Sequence, residues 1–425
     1  MTRSWRSAQF VVLAVALLAA ISMELRIAIA AAYLKRRTIP ATLRAAWLVP
    51  ADERVFLQLA RLNAERRALY LRDAAERNPD DAAPLLELGL MAQMTNNLNE
   101  AEEDFERAAQ LDVRVDPSWA LANFYFQQDN QEKFRYWGDR YRAFAAGNAV
   151  GLFRMEWSRS HSVSRLLESF RPLGCEELTG MATFLDSRAT ALEAMPVDEL
   201  LASCPGYEAS KAVMTDVSRL LAADHSDAAL KLWNGLSRNR VFPYTPLDPF
   251  HGPTLTNADF AYALDELGFN WRINRTPGVS VRRLSHSLEL RFDGKEPEAS
   301  TLLFEPVVLQ AGANYQLDCR IDSENASEAG FGWRLVELGT GSTVANGIEG
   351  KGHRPDDALS WTFRAPKTLK TTVIAFSYVR PAGSIRAQGK IILSDVTLRA
   401  IEDKRPSSHS LQIDNAYLAR TTSFE

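Results

Sequence analysis

Cysteine is scarce in this chain. Three in 425 residues, Cys175, Cys204 and Cys319, are too few for the disulfide framework that holds small secreted domains together. Histidine is scarce as well: His161, His225, His251, His286, His353 and His409 share no ligand-like spacing with one another or with cysteine, which argues against a zinc site. Gly-x-Ser-x-Gly, a phosphate-cradling glycine loop and His-Glu-x-x-His are all missing, so no reaction is spelled out in the sequence. Charge of one sign is missing too. The formal net charge is −4 and no long basic block lies beyond residue 37, which excludes the electrostatic footprint of a nucleic-acid partner. What is present is globular: 46% hydrophobic and 24% charged residues are near the averages for folded domains, and the length leaves room for two or three of them.

The longest apolar run, Phe10 to Leu34, decides where the rest of the chain resides. Arg3 and Arg6 precede it and Lys35-Arg36-Arg37 follow it. Phe10 to Met23 is uncharged but, at roughly 1.5 Å per residue, about 20 Å long, short of the roughly 30 Å hydrocarbon core. Extension to Leu34 supplies the length and brings in Glu24 and Arg26, each costing roughly 3 kcal/mol near a helix centre, which Arg26 reduces by snorkelling. A cleaved signal peptide is the alternative, since Ala28-Ile29-Ala30 has the form of a cleavage site. Glu24 and Arg26 stand where such a peptide is small and neutral, so the expectation is an uncleaved, single-pass inner-membrane anchor over residues 1–37. The charge count around the run favours a cytoplasmic body, whereas a basic tip before an apolar run behaves as a signal anchor. The expectation adopted is an exported, periplasmic body. In that oxidising setting Cys175 and Cys204, which bracket one helical region, are a candidate disulfide, with two buried free thiols as the alternative.

From Pro50 to about Leu236 glycine and proline are sparse and sit between periodic stretches, the pattern of successive helices. Ala51 to Asn78 reads as one amphipathic helix leaving the membrane. Leu85, Leu88, Gly89 and Ala92, followed by Ala101, Phe105 and Ala108, then resemble a tetratricopeptide repeat. In that motif a small residue (Gly89) admits the crossing partner helix, Ala101 and Ala108 play the same part in the second helix, and Phe105 fills the space between. A worn copy starts at Asp116-Pro117, with Trp119, Ala122 and Phe126 at first-helix positions, Asn123 in the place of glycine, and Phe134, Gly138 and Tyr141 following loosely. The resemblance implies an α-solenoid over residues 50–238 that binds a protein partner. Trp119, Phe124, Tyr125, Phe126, Tyr136, Trp137 and Tyr141 form an aromatic cluster, of which Phe124, Tyr125 and Phe126 cannot share one face.

Pro243, Pro246, Pro249 and Pro253 mark residues 239–256 as an extended linker that Tyr244 and Phe250 can dock. Beyond it the apolar period changes to two. Leu288, Leu290 and Phe292 alternate with Glu289, Arg291 and Asp293, and about eight such strands over 257–401 predict an antiparallel β-sandwich, a jelly roll. Residues 402–425 read as a flexible tail. Thr256-Asn257-Ala258-Asp259-Phe260 with Gly268-Phe269-Asn270-Trp271, closing on Leu393-Ser394-Asp395-Val396-Thr397-Leu398, is similar to carbohydrate-binding-module jelly rolls. The resemblance implies glycan binding and a structural calcium contributed by Asp259 and Asp395. Ala258 and Ala261 depart from the family's glycine and acidic residue, so a salt-bridged or solvated pair of aspartates is the plainer expectation. Of the aromatics, Phe331/Trp333, Trp361/Phe363 and Phe376/Tyr378 have core spacing, which leaves Trp271, between Asn270 and Arg272, as the candidate sugar platform. Glu349, Asp356 and Asp357, in a Gly-rich stretch over 347–357, read as solvated loop rather than a catalytic carboxylate pair.

The expectation is therefore a non-enzymatic, membrane-anchored envelope protein: helical repeats for a protein partner, and a sandwich for glycan or protein contact, in surface-polysaccharide assembly or export. The alternatives are a pure scaffold or spacer in a membrane complex and, further off, a glycan-active enzyme.

Overall fold

A computed structural model describes residues 2–113, 115–145, 148–324, 330–350, 357–368 and 370–401. The expected tail, 402–425, lies outside them, as do Asp356 and the side chains of Glu349 and Asp357. The chain forms two compact units, Met1–Gly180 and Met181–Glu425.

The first unit is helical. α1 (Thr2–Leu34) contains one stretch, Val12–Leu34, long and apolar enough to cross a membrane. α2 (Ile39–Leu48) follows, then α3 (Glu53–Leu62) and α4 (Arg67–Arg77). Two of these differ from expectation. α2 was not legible in the sequence, and Ala51 to Asn78 is two helices, broken where the Asn63 carboxamide accepts the Arg66 N–H and offers the backbone an alternative to helix. The hairpins α5 (Ala82–Met94)/α6 (Leu98–Leu111) and α7 (Val115–Gln127)/α8 (Gln131–Phe144) follow, then α9 (Val150–Ser160) and α10 (Val163–Phe170). α11 (Cys175–Leu185) lies across the unit boundary. The hairpin corners repeat one device: Asn96 and Asp129 take left-handed backbone, and the next N–H returns to the carbonyl five residues earlier, Asn97 to Ala92 at 2.8 Å and Asn130 to Tyr125 at 3.0 Å.

The second unit joins three further helices, α12 (Ala191–Leu201), α13 (Tyr207–Ala222) and α14 (Ser226–Arg238), to ten strands. Residues 239–256, the expected linker, lie within this unit. They pack down: Asn234 exchanges two hydrogen bonds of 2.8 Å with the Leu247 backbone, and the Tyr244 ring stacks on Trp233 at 5.9 Å. Asp224, at the α13–α14 corner, accepts from the Thr371 N–H (2.5 Å) and hydroxyl (3.0 Å). Gly268, at φ +57°, sits so close to Trp233 that a Cβ would lie 2.4 Å from its ring.

The strands are β1 (Arg272–Ile273), β2 (Val279–Arg283), β3 (Leu288–Asp293), β4 (Ala299–Val307), β5 (Asn314–Glu324), β6 (Gly330–Glu337), β7 (Thr343–Gly350), β8 (Asp357–Arg364), β9 (Thr372–Val379) and β10 (Gln388–Ile401). They form two antiparallel five-stranded sheets, ordered β1-β4-β9-β6-β7 and β2-β3-β10-β5-β8. The chain crosses between sheets repeatedly, as expected of a jelly roll. The start of the expected Gly-rich loop is instead part of β7, paired with β6. Tyr315, Leu317, Cys319 and Ile321 of β5 and Ile391, Leu393, Val396 and Leu398 of β10 point inward with the three aromatic pairs, and all are buried.

Candidate functional site

In the first unit the repeat residues meet as the sequence pattern requires. Leu85, Leu88, Ala101, Phe105 and Ala108 are buried, and a Cβ on Gly89 would lie 2.7 Å from the Phe105 ring, closer than any real contact. Trp119 is half-buried, its indole against Gly151 of α9 and 5.1 Å from the Tyr141 ring. The three successive aromatics of α7 do diverge, but none of them is bare. Phe124 packs edge-on to Phe105, and the Tyr125 hydroxyl bonds Glu102 (2.7 Å) and Glu106 (3.0 Å) of α6. Phe126 packs on Phe134 of α8 with the Arg159 guanidinium 4.6 Å from its ring. A helix inside a solenoid has neighbours on two sides, so faces that would be solvent in an isolated hairpin are covered here. Burial and the two glutamates push the Tyr125 hydroxyl well above its ordinary pKa, and Lys133 (2.6 Å) holds Glu102 below its own.

The packing leaves one contiguous face on the first helices. Leu86, Leu90 and Met94 recur every four residues along α5. Leu86 is half-buried, Leu90 exposed and Met94 87% exposed. Beside them Gln93 donates to the Gln127 side chain of α7 (2.7 Å), and Gln127 donates to Asn123 (3.2 Å). An apolar stripe flanked by a carboxamide ladder offers burial for side chains and hydrogen bonds for a bound backbone. Sequence reasoning missed it, although Leu90 and Met94 are the apolar positions left over once the repeat's core positions are assigned.

In the sandwich the expected sugar platform is corrected. Trp271 is fully buried, between Phe260 (5.5 Å) and Trp333 (6.2 Å). Buried Asn270 holds it there, accepting the Trp271 backbone N–H (2.9 Å) and donating to the Tyr244 hydroxyl (2.8 Å), while Arg272 of β1 pairs with Phe304 of β4. An indole with no open face cannot stack on a sugar. The outer face of the β2-β3-β10-β5-β8 sheet is a charge lattice: Glu289 sits 3.2 Å from Arg282 and 3.7 Å from Arg291, Lys390 lies 2.7 Å from Glu324, and Arg399 3.2 Å from Asp318. Among the described residues no aromatic side chain on either outer sheet face is exposed. The exposed rings nearest the sandwich are Phe250 and Tyr262, both before its first strand.

His286 Nδ1 lies 3.2 Å from Asp259, and the Arg320 guanidinium Nε 3.4 Å from Asp395. Among the described residues no three His, Cys, Asp or Glu side chains gather as metal ligands. Cys175 and Cys204 are disulfide-bonded, and Cys319 is a buried free thiol, its pKa pushed up to about 11 by burial.

No family model matches the chain, and no curated protein sequence matches it. Solved structures do resemble parts of it. A CBM4 domain is similar over 35% of this chain and all of its own, at 11% identity and a TM-score of 0.29. PilW, described as a type IV pilus biogenesis factor, is similar over 44% of this chain and 97% of its own, at 14% identity and a TM-score of 0.29. The MamA protein is similar over 35% of this chain and 91% of its own, at 16% identity and a TM-score of 0.28. At these scores the likenesses carry no argument about activity.

The most perturbed acids are interior. Asp198 (α12) is fully buried, and desolvation, then the charge of Asp216 (α13) and a hydrogen bond with it, push its pKa up to about 9. Asp216 is raised by burial too, against the pull of Arg219 at 2.5 Å. Glu305 of β4 is fully buried, raised well above its ordinary value by desolvation, and accepts the Thr256 N–H at 2.5 Å. All three side chains are closed within the interior.

Proposed function

We propose that this protein is a non-enzymatic, membrane-anchored scaffold of the cell envelope that grips a protein partner on the first-helix face of its repeats. The carrying observation is that face: Leu86, Leu90 and Met94 of α5 beside the Gln93–Gln127–Asn123 ladder, left open by an array that packs Phe124, Tyr125 and Phe126 of α7. Two features support a retained anchor and an exported body. Ala30, the last residue of the cleavage-like triplet, is buried, and Gln58 of α3 donates to the Leu34 carbonyl at the end of α1 (2.9 Å), so the end of the apolar helix is integral to the fold. The disulfide-bonded Cys175 and Cys204 suit an oxidising compartment. The sandwich serves as an interaction or spacer domain, and its charged outer face disfavours indiscriminate sheet pairing. Polysaccharide contact is the second reading, carried by the exposed rings of Phe250 and Tyr262.

The test places a photo-crosslinking residue at Met94, and separately at exposed Glu103 of α6, in the full chain in its native membrane. The expected result is a discrete protein adduct from position 94 that Leu90→Glu removes. Adducts from position 103 alone, or a position-94 adduct indifferent to Leu90→Glu, refute the reading.

A further inference from the structure

Helix α2 has two unlike faces. Ala41, Thr42 and Ala45, with Val49 just past the helix end, are buried, and Ala45 and Val49 share one cluster with Ala30 of α1 and Val55, Phe56 and Leu59 of α3. Pro40, Leu43, Arg44 and Trp47, at i, i+3, i+4 and i+7, form the opposite stripe and are all exposed. Trp47 is 84% exposed and Leu43 48%, a large apolar area to leave in water on a helix of ten residues.

Two observations say what covers it. The first is continuity. α2 begins only four residues after the apolar helix α1, and the corner is built rather than loose. Arg37 takes left-handed backbone, and Gln58 bonds both the Leu34 carbonyl (2.9 Å) and the Thr42 hydroxyl (3.2 Å). Because Ala30, Tyr33 and Leu34 already pack on α2 and α3, the part of α1 free to meet lipid ends near Ile29. Residues 10–29 then measure about 30 Å, the hydrocarbon thickness, which sets α2 at headgroup depth and Glu24 and Arg26 within two turns of the same interface. The second is charge. Lys35, Arg36, Arg37 and Arg44 surround the corner, Arg36 and Arg44 within 5.4 and 5.9 Å of the Tyr33 ring, and among the described residues none of the four is ion-paired. A cationic rim around an exposed indole matches a lipid headgroup layer, where Trp sits at the polar–apolar boundary and basic side chains reach phosphates.

We propose that the Pro40–Leu43–Trp47 face of α2 seats in the headgroup layer of an anionic bilayer, with Lys35, Arg36, Arg37 and Arg44 on its phosphates. The proposal rests on α1 being a retained anchor, and the test separates the two. The full chain is reconstituted in vesicles of about three parts phosphatidylethanolamine to one of phosphatidylglycerol. Spin labels are placed singly through Val15→Cys, Leu43→Cys, Trp47→Cys and Met94→Cys, since Cys319 is buried and the other two cysteines are disulfide-bonded. Collisions with lipid-dissolved oxygen and with an aqueous nickel chelate report depth. The expected result is oxygen-dominated relaxation at 15, a boundary depth at 43 and 47, and nickel-dominated relaxation at 94. Lipid exposure at 15 with 43 and 47 as aqueous as 94 overturns the α2 proposal and leaves the anchor standing. An aqueous position 15 overturns both.

Discussion

Asp198→Asn is expected to stabilise the second unit at neutral pH and to do nothing in acid. The carboxyl is fully buried beside Asp216, with which it shares a hydrogen bond, and Arg219 is committed to Asp216 at 2.5 Å. The folded state therefore keeps Asp198 protonated up to about pH 9, whereas the unfolded chain releases that proton at the ordinary value of 3.8. Between those two points the unfolded state binds fewer protons, so stability falls as pH rises, by about 1.36 kcal/mol per pH unit. From pH 3.8 to pH 7 the upper limit is about 4 kcal/mol. The cationic Arg219 favours ionisation of the pair, so about 2–4 kcal/mol is the working range. Asn keeps the shape and a hydrogen-bond donor toward Asp216 without titrating. Hydrogen exchange of the α12 and α13 amides reads the effect locally, without assuming two-state unfolding of a multi-unit chain. Protection in the variant should match the parent near pH 4 and exceed it progressively toward pH 7. A gain that does not grow with pH, or a loss at pH 7, would refute the reasoning.

Gly89→Ala should cost about 1–3 kcal/mol by driving a methyl into the Phe105 ring, read as a lower helical melting temperature, and an unchanged melt would mean the helices do not cross where described. Trp271→Ala should lower stability by about 3–5 kcal/mol through a core cavity. If glycan binding exists, any loss in that variant should track unfolding rather than precede it. Gly268→Ala combines a left-handed backbone with a 2.4 Å approach to Trp233. It should loosen the 239–256 segment and speed tryptic cleavage at Arg238 and Arg240, and cleavage at the parental rate would count against the docked segment.

The two architectures were legible because each writes its period into the sequence. Gly89 and Phe105 stand at a spacing that only a helical crossing uses, and Leu288, Leu290 and Phe292 alternate as only a one-sided strand does. What was not legible depended on neighbours far along the chain. Phe124, Tyr125 and Phe126 are covered because a solenoid helix is flanked twice. Trp271 turns inward because Asn270 is pinned by Tyr244, twenty-six positions earlier. The prolines of 239–256 mark an extended linker with Tyr244 as a docking ring, and that ring stacks on Trp233. The second tie, from the Asn234 carboxamide to the Leu247 backbone, was not legible, because Asn234 is one polar residue in a helix that looks like an ordinary terminus. The open stripe on α5 was invisible for a related reason: apolar residues at helical spacing look alike in sequence whether a neighbour covers them or not.

The strand order carries a consequence for how the chain is made. β10, the last of the described strands to be synthesised, lies in the middle of its sheet between β3 and β5. Until it arrives, those two strands have no ladder partner on their facing edges, and the sheet exists only as two separated ribbons, β2-β3 and β5-β8. The second unit therefore cannot fold vectorially from its N-terminal side. Its core closes in one late step that depends on contacts far apart in sequence, the slow kind. Until β10 is made, the strands that flank it stand bare, the state in which unpaired sheet edges are most prone to aggregate.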